Sequence, residues 1–211
     1  MPAATSGTAN RTNASTSAAD AAVGRLLEQI GASWMTQAIS VAAELRLPDL
    51  LATGPCTVDA LARETQCDPA ALHRLLRALT SLELFVEQDD GAFALAPAGA
   101  WLCADSPRSV RSWAIWCRKY HWPVWANLLD SVRSGLSARE LATGRRGYAH
   151  IEADPEGAAI FNGAMVEITR LIASELARMV DFSAVRRVVD IGGGYGELLT
   201  VILSAHPHLH G

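Results

Sequence analysis

The sequence of 211 residues predicts a mainly α-helical protein, in which a winged-helix domain precedes the first β-α unit of a truncated Rossmann-like domain. Three observations support this fold class. Apolar residues recur with helical spacing from Asp20 onward, two short helices and a hairpin follow Pro48, and a glycine-rich turn lies near the carboxyl end. These observations divide the chain into a tail (residues 1–19), a helical arm with the winged helix (20–104), a helical connecting region (105–184) and the start of the Rossmann-like domain (185–211).

Composition indicates a globular protein and excludes several classes. Half of the residues are hydrophobic and the net charge is −4, so the bulk charge does not favour nucleic acid or an anionic membrane. No apolar run approaches the roughly 20 residues of a membrane-spanning helix. The cysteines lack the spacing of a metal site or a disulfide framework. They are Cys56, Cys67, Cys103 and Cys117.

Residues 1–19 are rich in Ala, Ser, Thr and Asn and lack the apolar segment of a signal peptide. We therefore expect a disordered tail on a cytoplasmic protein. After it, apolar residues at three- and four-residue steps predict one long helix or two consecutive ones, with Gly31 as the candidate break and Pro48 with Gly54-Pro55 closing the region. These residues are Val23, Leu26, Leu27, Ile30 and Trp34.

Residues 57–95 have the order of a winged helix. Thr57 and Asp68 are suited to cap two successive helices, and the turn Asp89-Asp90-Gly91 joins two short apolar segments as a β-hairpin. The span from Asp59 to Cys103 carries three cations against seven anions. Because DNA-binding surfaces are basic, this balance favours a scaffold or dimerisation module over a DNA-binding domain.

Residues 107–135 interleave tryptophans with basic residues, a mixture that single-strand binding platforms also use. The spacing of Trp113 and Trp116, one helical turn apart, favours a core or a subunit face instead, and Trp125 begins an apolar stripe that continues it. Further on, Asp154-Pro155 is the expected start of a helix that includes Phe161 to Met179.

The glycine-rich turn follows an expected strand, Val188 to Ile191, and precedes an expected helix that begins at Glu197. A dinucleotide-binding turn starting at Gly192 would need a glycine where Glu197 stands, and no Gly-Lys-Ser/Thr follows as a phosphate loop requires. The residues fit D-x-G-x-G-x-G instead, with Asp190, Gly192, Gly194 and Gly196 in place.

This spacing resembles the first motif of class I S-adenosylmethionine-dependent methyltransferases. The order of helical arm, winged helix, tryptophan-bearing helix and F-N-x-x-M element at Phe161 to Met165 resembles the small-molecule O-methyltransferases of plant caffeate type and their bacterial relatives. The resemblance covers nearly all of residues 20–211. It implies S-adenosylmethionine as cofactor, a small hydroxylated acceptor and a homodimer built by the amino-terminal helices, with no nucleic-acid or membrane partner.

The resemblance also implies roles for individual residues. Asp190, Gly192, Gly194 and Gly196 form the cofactor turn, and Thr169 falls near a cofactor-side position. Residues 105–184 contribute to the acceptor pocket, with Phe161 and Met165 at substrate-binding positions. Core packing for these two, and a surface hydroxyl for Thr169, remain open as alternatives.

The remaining parts of such a site are expected beyond Gly211. These are the acid that binds the ribose hydroxyls and the histidine that acts as general base, so we assign no catalytic residue. We assign no metal to His206-Pro207-His208-Leu209-His210, where Pro207 breaks the helix and no acid or thiol is near.

The predicted activity is methyl transfer from S-adenosylmethionine to a hydroxyl of a small aromatic or polyketide-like compound. This chain is then an amino-terminal portion that is inactive alone. The alternative is a non-catalytic homodimerisation module, and a winged-helix transcription regulator is the least favoured interpretation. Because a lone parallel strand has no neighbours to pair with, residues 185–211 are expected to be irregularly packed or exposed.

Overall fold

The computed structural model describes the backbone of residues 8–211 and the side chains of residues 20–211, except those of His150 and Glu152. The chain forms two compact units, Met1–Gln37 and Ala38–Gly211. The described part is mainly helical and contains one two-stranded sheet. Its helices are α1 (Thr8–Glu44), α2 (Leu47–Ala52), α3 (Val58–Thr65), α4 (Pro69–Ser81), α5 (Arg111–Trp116), α6 (Trp122–Trp125), α7 (Leu128–Ser134), α8 (Ala138–Thr143), α9 (Ala149–Glu152), α10 (Pro155–Met179) and α11 (Glu197–Ala205).

Helix α1 begins earlier than the composition suggested. The structure places residues 8–19 in this helix, which corrects that part of the predicted disordered tail, and residues 1–7 lie outside the described residues. No glycine or proline occurs between Thr8 and Val23, and alanine has the highest helix propensity, so the helix can extend in that direction.

The helical region ends at Ala52, just before Gly54-Pro55, as predicted, whereas Gly31 and Pro48 differ from the prediction. Gly31 lies inside the continuous helix, where a glycine costs only about 1 kcal/mol relative to alanine. Pro48 lies in the first turn of α2 and so begins a helix, because the missing N–H of a proline costs nothing at that position.

In the first unit, the large apolar side chains of α1 between Val23 and Trp34 face solvent. Trp34 is 76% exposed and Leu27 is 63% exposed. The apolar stripe predicted from the sequence is therefore present on α1, and its side chains are exposed to solvent. Its other members are Val23, Leu26 and Ile30.

The second unit begins with the block of short helices and the hairpin. The Thr57 hydroxyl accepts a hydrogen bond from the backbone N–H of Ala60 at 3.4 Å, and Asp68 Oδ1 accepts one from Ala71 at 2.7 Å. These contacts confirm both predicted caps. The antiparallel strands β1 (Phe85–Glu87) and β2 (Phe93–Leu95) pair in the register Phe85 to Leu95 and Val86 to Ala94.

A compact apolar core joins α2, α3, α4 and the hairpin. Phe85 and Phe93 are almost completely buried on the inner face of the sheet. Leucines from the three helices close the core around them, which explains why such short elements are stable together. These leucines are Leu47, Leu51, Leu61, Leu72, Leu76 and Leu79.

Helices α5 and α10 pack against each other and build the region that carries the site. Trp116 is 1% exposed, and a π-helical turn over Cys117–His121 follows it directly. Trp122 and Trp125 are 46% and 61% exposed. The core interpretation therefore applies to Trp116 and to Trp113, which is half-buried and packs against the same cluster, whereas the stripe that begins at Trp125 lies on the surface.

The predicted strand at Val188–Ile191 is absent as a ladder from the described residues. A single parallel bridge joins Arg187 to His210, with the Val188 N–H donating to the His210 carbonyl at 2.9 Å. Val189 is 73% exposed and Ile191 is 94% exposed. The strand prediction was wrong for this chain because a parallel strand needs neighbours, and the prediction of exposure is confirmed.

The residues that follow the turn, from Ile202 to Leu209, pack against the carboxyl end of α10. Ala177 and Phe182 pack with Ile202 and Leu209 in a small core. His206 Nε2 donates to the Ala177 carbonyl at 2.9 Å, which gives a carbonyl in the last turn of α10 a partner. None of the described helices combines the length and apolar character needed to cross a bilayer.

Candidate functional site

The glycine turn adopts a backbone that most residues cannot follow. Gly192, Gly194 and Gly196 have φ angles of 80°, 55° and 77°, in the left-handed region that L-residues rarely occupy. Gly196 is the N-cap residue of α11, and its N–H donates to the Gly193 carbonyl at 2.8 Å. The turn therefore leads directly into the amino-terminal end of a helix.

Asp190 folds back over the turn. A Cβ atom on Gly193 would lie 2.5 Å from Asp190 Oδ2, so a larger residue there would displace the carboxylate. A Cβ atom on Gly192 or Gly194 would meet no atom within 4 Å. The space above these two glycines is open to a ligand.

A cavity of about 450 Å³ lies between the turn, α10 and Tyr148. It contains six of the seven residues that the sequence nominated. Phe161, Met165 and Thr169 lie on one face of α10, and Asp190, Gly192 and Gly194 come from the turn. Gly196 does not line the cavity and instead begins α11 behind it. The other lining residues are Tyr148, Asn162, Val166, Gly193, Tyr195, Glu197 and Leu198.

One end of the cavity is aromatic. The rings of Phe161 and Tyr148 have centroids 5.9 Å apart, and buried Trp116 supports Phe161 at 5.0 Å. Trp116 stacks in turn on Tyr120 at 4.5 Å. Because aromatic groups pack favourably at these distances, this end is suited to a flat apolar ligand.

Two side-chain contacts join α10 to the turn and to α11. Asn162 Nδ2 donates to the Tyr195 hydroxyl at 3.0 Å. Arg170 Nε lies 2.8 Å from Glu197 Oε1, and Glu197 occupies the first turn of α11, where a carboxylate is favoured. These two exposed contacts link the two walls of the cavity.

The lining residues that were not predicted from the sequence include Asn162, Val166, Tyr195 and Glu197. Asn162 and Val166 could have been found, because they share a helical face with Met165 and Thr169 at steps of three and four residues. Tyr195 occupies an x position of the D-x-G-x-G-x-G pattern, and the pattern does not indicate which residue stands there or what it contacts.

The start of α10 is fixed by Asp154, as predicted. Its carboxylate accepts hydrogen bonds from the Gly157 N–H at 3.0 Å and the Tyr120 hydroxyl at 2.8 Å. The Gly157 bond, followed by the Tyr120 bond, lowers the pKa of Asp154. Burial and then the Asp154 bond raise the pKa of Tyr120 to about 12. A capped helix thus presents the cavity-lining face of α10.

The charges around the cavity are acidic. Asp190 and Glu197 are its only charged lining residues among those described, so no lysine or arginine of that part of the chain faces it. Arg170 lies beside the cavity and forms an ion pair with Glu197, so Asp190 is the lining carboxylate that the described ion pairs leave uncompensated. A cationic or zwitterionic ligand is favoured on electrostatic grounds.

No histidine whose side chain is described lines this cavity, and none can be assigned as a general base. His208 Nε2 lies 3.1 Å from the Phe182 carbonyl, which gives it a packing role like that of His206. Across the described residues, no group of three or more His, Cys, Asp or Glu side chains is arranged to hold a metal ion.

A glycine turn that leads into a helix, beneath a cavity with an aromatic end, is typical of the class of α/β proteins that bind nucleotide-type cofactors. Comparison with family models identifies the family within this class. Residues 27–105 match the O-methyltransferase dimerisation domain, and residues 125–211 match the O-methyltransferase domain. The chain belongs to the O-methyltransferase family.

Individual relatives agree with this assignment. A phenazine O-methyltransferase from Lysobacter antibioticus is 35% identical and matches 88% of this chain and 54% of its own. An 8-amino-8-demethylriboflavin N,N-dimethyltransferase from Streptomyces davaonensis is 37% identical over 78% of this chain and 48% of its own. The chain spans about half the length of the curated relatives that it matches.

A solved structure gives the same result. Human N-acetylserotonin methyltransferase in complex with S-adenosylmethionine superposes with a TM-score of 0.82 at 25% identity, over 89% of this chain and 57% of that one. The similarity therefore includes both the helical amino-terminal region and the beginning of the methyltransferase domain.

Proposed function

We propose that this chain provides the cofactor turn and one wall of the acceptor pocket of an S-adenosylmethionine-dependent methyltransferase. The observation that carries the proposal is the cavity between the glycine turn and the F-N-x-x-M face of α10, which is lined by six residues that the family resemblance had named. Family membership and the cofactor in the human relative support it.

The residues present fit this cofactor. The methionine and ribose parts of a ligand can approach Gly192 and Gly194, because an added methyl group at either glycine would point into open space. The Asp190 carboxylate lies against the turn, where it can accept hydrogen bonds from the ligand. The absence of cations from the described lining suits a ligand that has a sulfonium and no phosphate.

We assign Asp190, Gly192, Gly194, Gly196 and Thr169 to cofactor binding. Gly192 and Gly194 form the floor, Gly196 directs the chain into α11, and Thr169 offers a hydroxyl from the opposite wall. When bound, the cofactor supplies a methyl group that a nucleophilic oxygen can take by in-line displacement. These residues would hold and orient it.

Phe161 and Met165 are assigned to the acceptor. They line the aromatic end, with Tyr148 in contact with Phe161 and Trp116 behind it. A small aromatic or polyketide-like compound with a hydroxyl group would present a flat face to this wall and keep water away from the reacting oxygen. Proton removal is assigned to no residue described here.

We also propose that the amino-terminal helices and a winged helix, formed by α3, α4 and the hairpin, make a homodimer. The match to the dimerisation domain and the exposed apolar stripe of α1 support this assembly. A cytoplasmic enzyme without nucleic-acid or membrane partners is consistent with the acidic balance of residues 59–103.

Calorimetry with S-adenosylhomocysteine, the demethylated cofactor, tests the proposal on the 211-residue chain. We expect one binding site per chain with a dissociation constant in the micromolar range, about −8 kcal/mol. Because the chain spans about half of its relatives, binding is the appropriate measurement, and we propose that methyl transfer by these residues alone is absent.

A homodimerisation module without catalysis is the second candidate. The exposed α1 stripe favours it, since that surface needs a partner whether or not a cofactor binds. If the chain sediments as a dimer in analytical ultracentrifugation but gives no heat of binding with S-adenosylhomocysteine, the result would support this module and contradict the proposed enzyme. A transcription regulator is the third candidate, and retardation of DNA in low salt would be needed to support it.

A further inference from the structure

Asn162 and Tyr195 meet across the cavity from opposite walls. Asn162 comes from α10 and Tyr195 from the glycine turn, and Asn162 Nδ2 lies 3.0 Å from the Tyr195 hydroxyl. Both side chains line the cavity. The contact therefore lies between the cofactor turn and the aromatic wall that includes Phe161.

Tyr195 is marked out by its contact rather than by its exposure. It lies in the same exposed segment as Val189 and Ile191, but its hydroxyl is bonded to Asn162 and its side chain lines the cavity. Gly194 and Gly196, with φ angles of 55° and 77°, flank it, so the turn presents its side chain outward from the backbone. The ring is thus displayed to whatever occupies the cavity.

The pair keeps unused hydrogen-bonding capacity. Tyr195 accepts one bond from Asn162 and retains its own O–H donor, while Asn162 retains its amide carbonyl as an acceptor. The opposite orientation of the amide would also leave one donor and one acceptor. A hydroxyl group is both donor and acceptor, so it can satisfy the two partners together.

We propose that Asn162 and Tyr195 are specificity-determining residues that recognise a hydroxyl substituent of the aromatic acceptor. The inference rests on the proposed function, because it assumes that the acceptor lies against Phe161 and Met165. The adjacent apolar side chains hold the ring, and the polar pair selects rings that carry a hydroxyl. An acceptor without this group would leave the pair unsatisfied beneath the ligand.

Two flat probes test the inference on the 211-residue chain with saturating S-adenosylhomocysteine. 6-Hydroxyquinoline carries a hydroxyl group, and quinoline has the same ring without it. We expect the chain to bind 6-hydroxyquinoline about three- to tenfold more tightly than quinoline, the ratio that one hydrogen bond supplies. Tyr195→Phe and Asn162→Leu should each bring this ratio close to one.

The control is Asn127→Leu, because Asn127 Nδ2 makes a bond of similar length, 2.9 Å, to the Pro123 carbonyl outside the cavity. This variant should keep the ratio of the unmodified chain. A general loss of structure in the Tyr195 or Asn162 variants would weaken both probes and S-adenosylhomocysteine alike. A selective effect lowers only the affinity for 6-hydroxyquinoline.

The outcomes separate this inference from the proposed function. Binding of S-adenosylhomocysteine with an unchanged ratio in Tyr195→Phe and Asn162→Leu, or with no preference in the unmodified chain, overturns the inference and leaves the proposed function standing. Absence of S-adenosylhomocysteine binding overturns the proposed function and the inference together.

Discussion

Glu167, in the middle of α10, accepts a hydrogen bond from the backbone N–H of Trp113 at 2.9 Å. Its second carboxylate oxygen accepts one from the Ser112 N–H, also at 2.9 Å. The N-cap residue of α5, Val110, makes no side-chain cap, and the neighbouring Ser109 Oγ accepts from the Arg111 N–H at 3.2 Å. A carboxylate 54 residues away along the chain therefore caps α5 and fixes it against the wall of the cavity.

Replacing Glu167 with glutamine should destabilise the chain by about 1–2 kcal/mol, because one N–H loses its acceptor and the negative charge at the helix end is removed. Urea unfolding measures the difference. The control is Glu175→Gln on the same helix, whose ion pair with Arg178 is exposed and should contribute less than about 0.5 kcal/mol. Equal effects in the two variants would contradict the capping role.

Gly192→Ala tests the turn. Its φ of 80° strains any residue with a side chain, so we expect a loss of about 1 kcal/mol in stability and at least a tenfold loss in S-adenosylhomocysteine affinity. Calorimetry and urea unfolding provide the two values.

Gly135→Ala is the matched control for this substitution. Gly135 has a φ of 73°, a Cβ atom there would meet no atom within 4 Å, and the residue lies at the end of α7 outside the cavity. The control should lose similar stability and keep its affinity for the ligand. If both variants bind equally well, the turn is not the ligand floor.

These contacts show which parts of the molecule were predictable. The caps at Thr57, Asp68 and Asp154 depend on residues three positions apart. The first two were expected as caps from the sequence, and Asp154-Pro155 was expected as a helix start. The helical face that places Phe161, Met165 and Thr169 together follows from the same local periodicity. The resemblance to the family then indicated that this face and the glycine turn form one site.

Contacts between distant residues were not predictable. No local pattern pairs Glu167 with Trp113 or Asn162 with Tyr195, because each pair is brought together only by the packing of α10. The strand predicted at Val188–Ile191 did not form for a related reason, which the expected exposure of residues 185–211 already reflects. Its side chains have strand character, but pairing depends on neighbours that no residue pattern within the segment supplies.

Tyr120→Phe should change how the free energy of unfolding depends on pH in the alkaline range. Burial and the bond to Asp154 raise the pKa of Tyr120 to about 12, above the value near 10 of an unfolded tyrosine. The protonated phenol therefore stabilises the folded chain below about pH 10, and this contribution is lost as the pH rises toward 12. The variant should be less stable by about 0.5–1.5 kcal/mol at pH 7.

Urea unfolding of both chains at several pH values checks this prediction. The difference between them should stay constant from about pH 7 to 9 and shrink above about pH 10. A difference that persists unchanged at pH 11 would show that the Tyr120 hydroxyl does not titrate late. Loss of the ring stacking on Trp116 is not expected, because phenylalanine keeps the ring.

Protonation of His121 should lower the free energy of unfolding as the pH falls below neutrality. Its ring lies edge-on to Trp113 at 5.5 Å and to Trp116 at 5.6 Å, and burial, followed by the charge of Arg139, lowers the pKa of His121. The neutral ring is thus favoured in the folded chain. The neutral ring contributes its full stabilisation above the ordinary histidine pKa near 6.5. This stabilisation is lost as the pH falls through the lowered pKa of the folded chain.

Urea unfolding between pH 7.5 and 5 should therefore show a larger loss for the unmodified chain than for His121→Phe, which keeps an aromatic ring and cannot be protonated. Proton NMR of the imidazole provides the direct measurement, with a titration midpoint below about 6.5. Arg139→Met should raise that midpoint slightly, since it removes the smaller cause and leaves the burial. A midpoint at or above the ordinary value would mean that the ring is hydrated, and the aromatic cluster behind Phe161 would then be open to water.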